Sequence, residues 1–141
     1  MRTFLFLCFA VPISIVDIKT MHIPDWLTVS GCIMLLLYYL GFHRTELPAA
    51  AAGAVIIFTV FYLVRKLTSN GLGFGDVKYS FLCGLYGAFP VIVFGCIISA
   101  VLGLCCYGLV ALFNGTERIR RMRIPFAPFM SAGTLIAFFI I

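Results

Sequence analysis

The sequence predicts an all-α fold: a polytopic integral membrane bundle of about six transmembrane helices. Composition and pattern both point there. Hydrophobic residues make up 63% of the 141, charged residues only 11%, and mean hydropathy is +1.15. An ordinary soluble domain carries about 25% charged residues and is roughly half apolar. A fold of this size could not hide so much apolar surface from water. Uncharged runs also recur at lengths suited to crossing about 30 Å of hydrocarbon. These observations exclude a secreted domain, a disordered tail and a nucleic-acid partner. The net charge of +5 fits the Lys and Arg that hold loops on the cytoplasmic side of a membrane. No internal repeat, low-complexity tract or linker interrupts the chain, so residues 1–141 read as a single membrane-embedded domain.

The runs define the elements in order. Phe4 to Val16 is the first, Leu27 to His43 the second and Leu47 to Val64 the third. Tyr79 to Phe113 is uncharged over 35 residues, too long for one span of about 20. Pro90 lies where a turn would divide it, giving a helix that ends near Phe89 and another from Val91 to Phe113. Phe126 to Ile141 is the last. The first run has the outline of a secretory signal, with Arg2 ahead of it. Val16-Asp17-Ile18-Lys19 offers no small-x-small cleavage site, however, so the run reads as a span. That run is 13 residues long and the fourth only 11. Neither crosses unless its helix extends through neighbouring polar residues, which draws Asp17 and Asp76 to the edge of the hydrocarbon.

Charge sets the topology. Lys19, then Arg65, Lys66 and Lys78, then Arg118, Arg120, Arg121 and Arg123 fall in three alternate loops, eight of the ten basic residues. Only Arg2 and Arg44 lie on the other face. The positive-inside rule places the three loops in the cytoplasm and both termini outside. A multi-pass protein of the cytoplasmic (inner) membrane of a prokaryote is expected, in contact with membrane lipid. The six cysteines form no C-x-x-C and no zinc spacing with His. They read as buried small hydrophobes, and no metal or disulfide is expected.

Only five acids are present: Asp17, Asp25, Glu46, Asp76 and Glu117. Ionisable groups at membrane depth are costly and tend to be functional. Asp17 and Asp76, at one depth on one face, are a candidate dyad, in which one carboxylate activates water while the other, protonated, polarises a carbonyl. Each could instead be a solvated helix end. Gly71-Leu72-Gly73-Phe74-Gly75-Asp76 places glycines at alternate positions before the acid. That permits positive φ or close backbone approach, beside a cavity. In Ile23-Pro24-Asp25-Trp26, Pro24 ends the first helix, Asp25 reads as an N-cap and Trp26 as an interface anchor. Pro125 and Pro128 open the last span with an irregular first turn. Lys19 and Lys78 each follow a candidate acid by two residues. They read first as headgroup anchors and second as substrate contacts.

The set Asp17 … Ile23-Pro24-Asp25, Gly73-Phe74-Gly75-Asp76-Val77-Lys78 and Pro125-Phe126-Ala127-Pro128-Phe129 resembles the type IV prepilin peptidase family. That family carries an Asp at the end of a span ahead of I-P-N, a second Asp in G-x-G-D, and P-F-x-P before a late span. The resemblance implies a helical membrane aspartyl protease with its site at the cytoplasmic face and Asp17 and Asp76 as the catalytic pair. Lys19, Pro24, Asp25, Gly73, Gly75, Lys78, Pro125 and Pro128 would bind substrate or shape the site. It implies prepilin or pseudopilin substrates, cut between a short leader and a hydrophobic helix, and no cofactor. Asp25 stands where the family usually has Asn. The paired C-x-x-C insertion of the bifunctional methylating members is missing, so the short protease-only members are the nearer likeness. Helix polarity suggests Asp76 as base and Asp17 as the proton-bearing partner. The first sits near a helix start, the second at a helix end. Other classes remain at this stage: an inactive membrane assembly subunit, or a proton-coupled transporter, which usually shows matched repeats. Oligomeric state is not legible.

Overall fold

The structure, a computed structural model, describes residues 1–68, 71–114 and 125–141. The basic stretch carrying Arg118, Arg120, Arg121 and Arg123 therefore lies outside the described residues. Six α-helices account for nearly all the described chain: α1 (Arg2–Thr20), α2 (Asp25–Phe42), α3 (Leu47–Leu67), α4 (Phe74–Gly87), α5 (Val91–Asn114) and α6 (Ala127–Ile140). Each expected element is present. α1 extends through Asp17 to Thr20, as its short apolar run requires. The long uncharged run divides at Pro90, with α4 ending at Gly87 and α5 starting at Val91.

Four helices are long and apolar enough to cross a membrane: α1, α2, α3 and α5. α4 and α6 have 14 residues each, about 21 Å at the usual rise per residue and short of a full crossing. For α4 the reason is its place in the bundle. It packs against all five other helices. Val77, Tyr79, Ser80, Leu82, Cys83, Gly84, Leu85, Tyr86 and Gly87 are all buried, so protein rather than lipid surrounds its length. The remaining helices expose large apolar side chains outward, among them Phe4, Val29, Leu37, Val60, Ile97 and Leu104. That distribution suits a lipid solvent.

Small residues bring the neighbours of α4 close. A Cβ on Gly53 would stand 2.8 Å from the backbone of Ala88, so α3 and α4 meet backbone to backbone in the small-residue manner of membrane helices. α5 and α6 meet likewise, where a Cβ on Gly133 would stand 2.6 Å from the Ser99 backbone nitrogen. Between these pairs Phe6, Ile13, Leu35, Tyr39, Tyr86, Leu82 and Met130 fill the core. At one end of the bundle Arg2 Nη1 donates to Tyr39 Oη (3.0 Å) and pairs with Glu46 (2.9 Å), and Tyr39 donates to the Leu85 carbonyl (2.9 Å). This clamp pins the start of α1 and thereby sets the height of Asp17 at the opposite end. The cysteines are all free, but only Cys83 is buried; Cys32, Cys96 and Cys106 are half-buried, and Cys8 and Cys105 are exposed, which corrects the expectation of burial. The exposed two lie on outward helix faces, where a membrane protein places apolar groups.

Candidate active site

Asp17 occupies the last turn of α1. Met21, with φ 53°, caps that helix in the left-handed conformation and donates its N–H to the Asp17 carbonyl at 2.8 Å. The Asp17 side chain turns inward, and the residue is only 5% exposed. Its Oδ2 accepts the backbone N–H of Ala127 at 3.0 Å. That amide opens α6, and the first N–H groups of a helix have no partner within it. Pro128 stands in the first turn of α6, where a missing N–H costs nothing. The expected irregular turn is therefore confined to Pro125 and Phe126, and α6 is regular from Ala127.

Asp76 is the third residue of α4, counted from its N-cap Gly73. Its carboxylate folds back beside Gly73, the position that the acid of a capping box takes. Gly73 has φ −61°, so positive φ does not explain the glycine; space does. A Cβ there would lie 2.9 Å from Asp76 Oδ2. At Gly75 a Cβ would lie 3.0 Å from the Ile23 Cβ, so the Gly-x-Gly-Asp turn rests directly on the Ile-Pro-Asp stretch. Asp76 is half-buried. The two acids therefore lie at the same end of the bundle, Asp17 on the start of α6 and Asp76 on the turn that rests on Ile23.

The flanking residues fall less simply. Pro24, not Asp25, is the N-cap of α2, and Asp25 makes no cap hydrogen bond. Its Oδ2 instead accepts Lys78 Nζ at 2.6 Å, an ion pair that ties the start of α2 to α4. Lys78 also lies 4.8 Å over the Phe74 ring, whose other neighbour is Arg65 at 5.3 Å. Arg65 in turn donates to the Leu72 carbonyl at 2.6 Å. The expectation of Asp25 as a cap is thereby corrected. Opposite charges one helix apart satisfy each other first. Lys19 is exposed in the last turn of α1, where a cation suits the helix end. Among the described residues no cluster of His, Cys, Asp and Glu could hold a metal ion.

The family model described as the type IV leader peptidase family matches residues 4–109. The chain belongs to this family. The match to the leader peptidase model takes in Asp17, the Ile-Pro-Asp stretch and the Gly-x-Gly-Asp turn. The chain is 33% identical to a prepilin leader peptidase/N-methyltransferase of Xanthomonas campestris pv. campestris, over 94% of this chain and 47% of that protein. It is 25% identical to the protein so named in Escherichia coli strain K12, over 94% of this chain and 60% of that one. It is 29% identical to leader peptidase HopD of Salmonella typhimurium, over 91% of this chain and 85% of that protein. The chain spans about half the length of the first of these relatives. No solved structure matches it.

In this leader peptidase family member the helix-polarity distinction between the acids does not hold. Asp17 ends α1, but its carboxylate lies at the N-terminal amides of α6, so each acid faces a helix start. The sequence reading also missed three polar residues beside the dyad. Ser14 lies three before Asp17, Tyr79 three after Asp76, and Ser131 four after Ala127. The signal was present in the helical spacing, since residues three or four apart share a face. Spacing alone does not single them out, because lone hydroxyls in apolar runs are so often mere back-bonded helix residues.

Proposed function

We propose that the chain is a membrane aspartic endopeptidase that removes the leader peptide of prepilin-like or pseudopilin-like substrates. It would act at the cytoplasmic face of a prokaryotic inner membrane. The observation that carries this reading is that Asp17 and Asp76, on separate helices, lie at the same end of the bundle. Family membership and the names of the relatives support the substrate class. In the proposed chemistry the pair holds one proton between the two carboxylates. The ionised oxygen takes a proton from water as it attacks the scissile carbonyl carbon, and the protonated partner donates to the carbonyl oxygen. Collapse of the tetrahedral intermediate returns a proton to the leaving amine and breaks the C–N bond. The two acids and a water suffice, so no metal or cofactor takes part. Gly73 and Gly75 leave room for the Asp76 carboxylate and for Ile23. Pro24 and the Lys78–Asp25 pair shape the rim, and Pro125 and Pro128 flank the amide that holds Asp17. Lys19 would meet headgroups or leader.

Without a C-x-x-C pair in these residues, the chain would cleave without methylating the new N-terminus. Co-expression with a prepilin, in cells lacking any other such peptidase, tests both parts. A shift in gel mobility and an unmethylated mature N-terminus by mass spectrometry are expected. An unprocessed prepilin contradicts the peptidase reading, and a methylated product contradicts the second part.

A further inference from the structure

One turn deeper than the two acids, three hydroxyls from three helices meet on a single oxygen. Ser131 Oγ, on α6, lies 2.6 Å from Tyr79 Oη on α4 and 3.2 Å from Ser14 Oγ on α1. It also donates to the Ala127 carbonyl at 2.8 Å. Ser131 has one proton and two lone pairs. With the proton given to Ala127, both Tyr79 and Ser14 must donate to Ser131. The oxygen is then saturated: one bond given and two received. Tyr79 is fully buried and Ser131 nearly so. No buried side-chain nitrogen or oxygen among the described residues lacks a partner.

The joint sits where it bears on the dyad. Ala127, whose carbonyl receives the Ser131 proton, is the residue whose N–H holds Asp17. Tyr79 is one turn along α4 from Asp76, and Ser14 one turn along α1 from Asp17. The joint therefore fixes the start of α6 against the two helices that carry the acids. We infer that Tyr79 and Ser131 are positioning residues, which set the place of the Asp17 carboxylate relative to Asp76 through the first turn of α6. Neither has to touch substrate for this. The inference rests on the peptidase reading for its consequence in catalysis, and on the three-helix hydrogen bonding for its structural content. A displacement of about 1 Å at a reacting group can cost about a hundredfold in rate, so a loosened joint registers in turnover before it registers in binding.

The test uses the purified chain in lipid vesicles with a prepilin substrate, with folded protein quantified for every variant. Ser131→Ala and Tyr79→Phe are each expected to lower kcat about tenfold while KM stays within about twofold, the pattern of an interaction felt only in the transition state. The double variant should be no worse than Ser131→Ala alone, since Tyr79 would already have lost its acceptor. Ser131→Thr keeps the hydroxyl, and Ser131 borders an open groove lined by Leu7, Val11, Ile15 and Pro128, into which an added methyl can turn. It should restore kcat to within about threefold of wild type. Thr134→Val removes an equally buried hydroxyl one turn further along α6, bonded to the Met130 carbonyl at 2.7 Å. It should leave kcat within about twofold. Unchanged kcat in Ser131→Ala and Tyr79→Phe, an equal loss in Thr134→Val, or a rise in KM alone would overturn the inference.

A second readout needs no cleavage. Hydrogen exchange at the Ala127 amide, which donates to Asp17, should quicken severalfold when Ser131→Ala is introduced. An unchanged rate overturns the positioning role. A wild-type chain that cleaves nothing, but whose Ala127 exchange responds to Ser131→Ala, would sink the peptidase reading and leave the positioning role standing.

Discussion

The Asp17 carboxylate, at the end of α1, is held at 3.0 Å by the backbone N–H of Ala127, the first residue of α6. Residues 110 apart in sequence are thereby joined at the point where the chemistry is proposed. The bond makes the start of α6 part of the site, although the Pro125-to-Phe129 stretch carries no acid or base of its own. It also separates two consequences of changing Asp17, one for stability and one for activity.

Asp17→Asn keeps a carbonyl oxygen for the Ala127 N–H, whereas Asp17→Ala leaves that buried donor without a partner. An orphaned buried group costs about 1–3 kcal/mol. Thermal unfolding in detergent should therefore show Asp17→Asn close to wild type and Asp17→Ala clearly lower. Equal midpoints for the two variants would mean that the Asp17–Ala127 bond contributes nothing to stability.

Gly73→Ala tests the room made for Asp76. The added Cβ would stand 2.9 Å from Oδ2, closer than carbon and oxygen tolerate, so the carboxylate must move. Cleavage should fall at least about tenfold, on the scale of displacement effects at reacting groups, with the helices retained. Gly41→Ala is the matched control, because nothing lies within 4 Å of its Cβ and Ala favours a helix. If Gly73→Ala cleaves as well as Gly41→Ala, the glycine does not serve Asp76.

The Lys78–Asp25 pair is short but exposed on both sides, 33% and 62% at the side chains. Exposed pairs contribute about 0–1 kcal/mol. Asp25→Asn should cost little stability and keep cleavage within about threefold, inside the same small energy. Asp25→Lys should do worse by setting two cations together, and adding Lys78→Asp to it should restore function. Loss of cleavage in Asp25→Asn would place Asp25 in the chemistry rather than at its rim.

Much of this arrangement was legible in the sequence, for physical reasons particular to each part. α1 had to run through Asp17 because 13 apolar residues do not cross a bilayer. The break at Pro90 followed from a run too long for one helix. Both acids fell on one face because charge alternates from loop to loop. What stayed hidden depends on pairings between helices distant in sequence. Nothing local to Asp25 says that its partner is Lys78 rather than its own helix start. Nothing local to Asp17 says that the N-terminus of α6 lies over it. The central position of α4, which explains why 14 residues suffice for it, arises only once five neighbours are packed around it.

The charge-derived topology places Arg44 outside and Lys19 and Lys66 inside, on the face of the dyad. Single cysteines at these positions, in a cysteine-free background on intact cells, should be labelled by an impermeant thiol reagent at Arg44→Cys and not at Lys19→Cys or Lys66→Cys. The reverse pattern would put the acids on the outer face, where no unprocessed leader waits.

The central claim is that Asp17 and Asp76 act as one unit. Its most direct test is cleavage of a prepilin by purified wild type, Asp17→Asn, Asp76→Asn and the double variant in lipid vesicles, each checked for folding. Groups that share one step are strongly non-additive. Each single variant should lose at least about a thousandfold in rate, as members of catalytic units do, and the double variant should be no slower than either. Near-normal cleavage by one single variant, or losses that multiply in the double, would contradict a shared dyad.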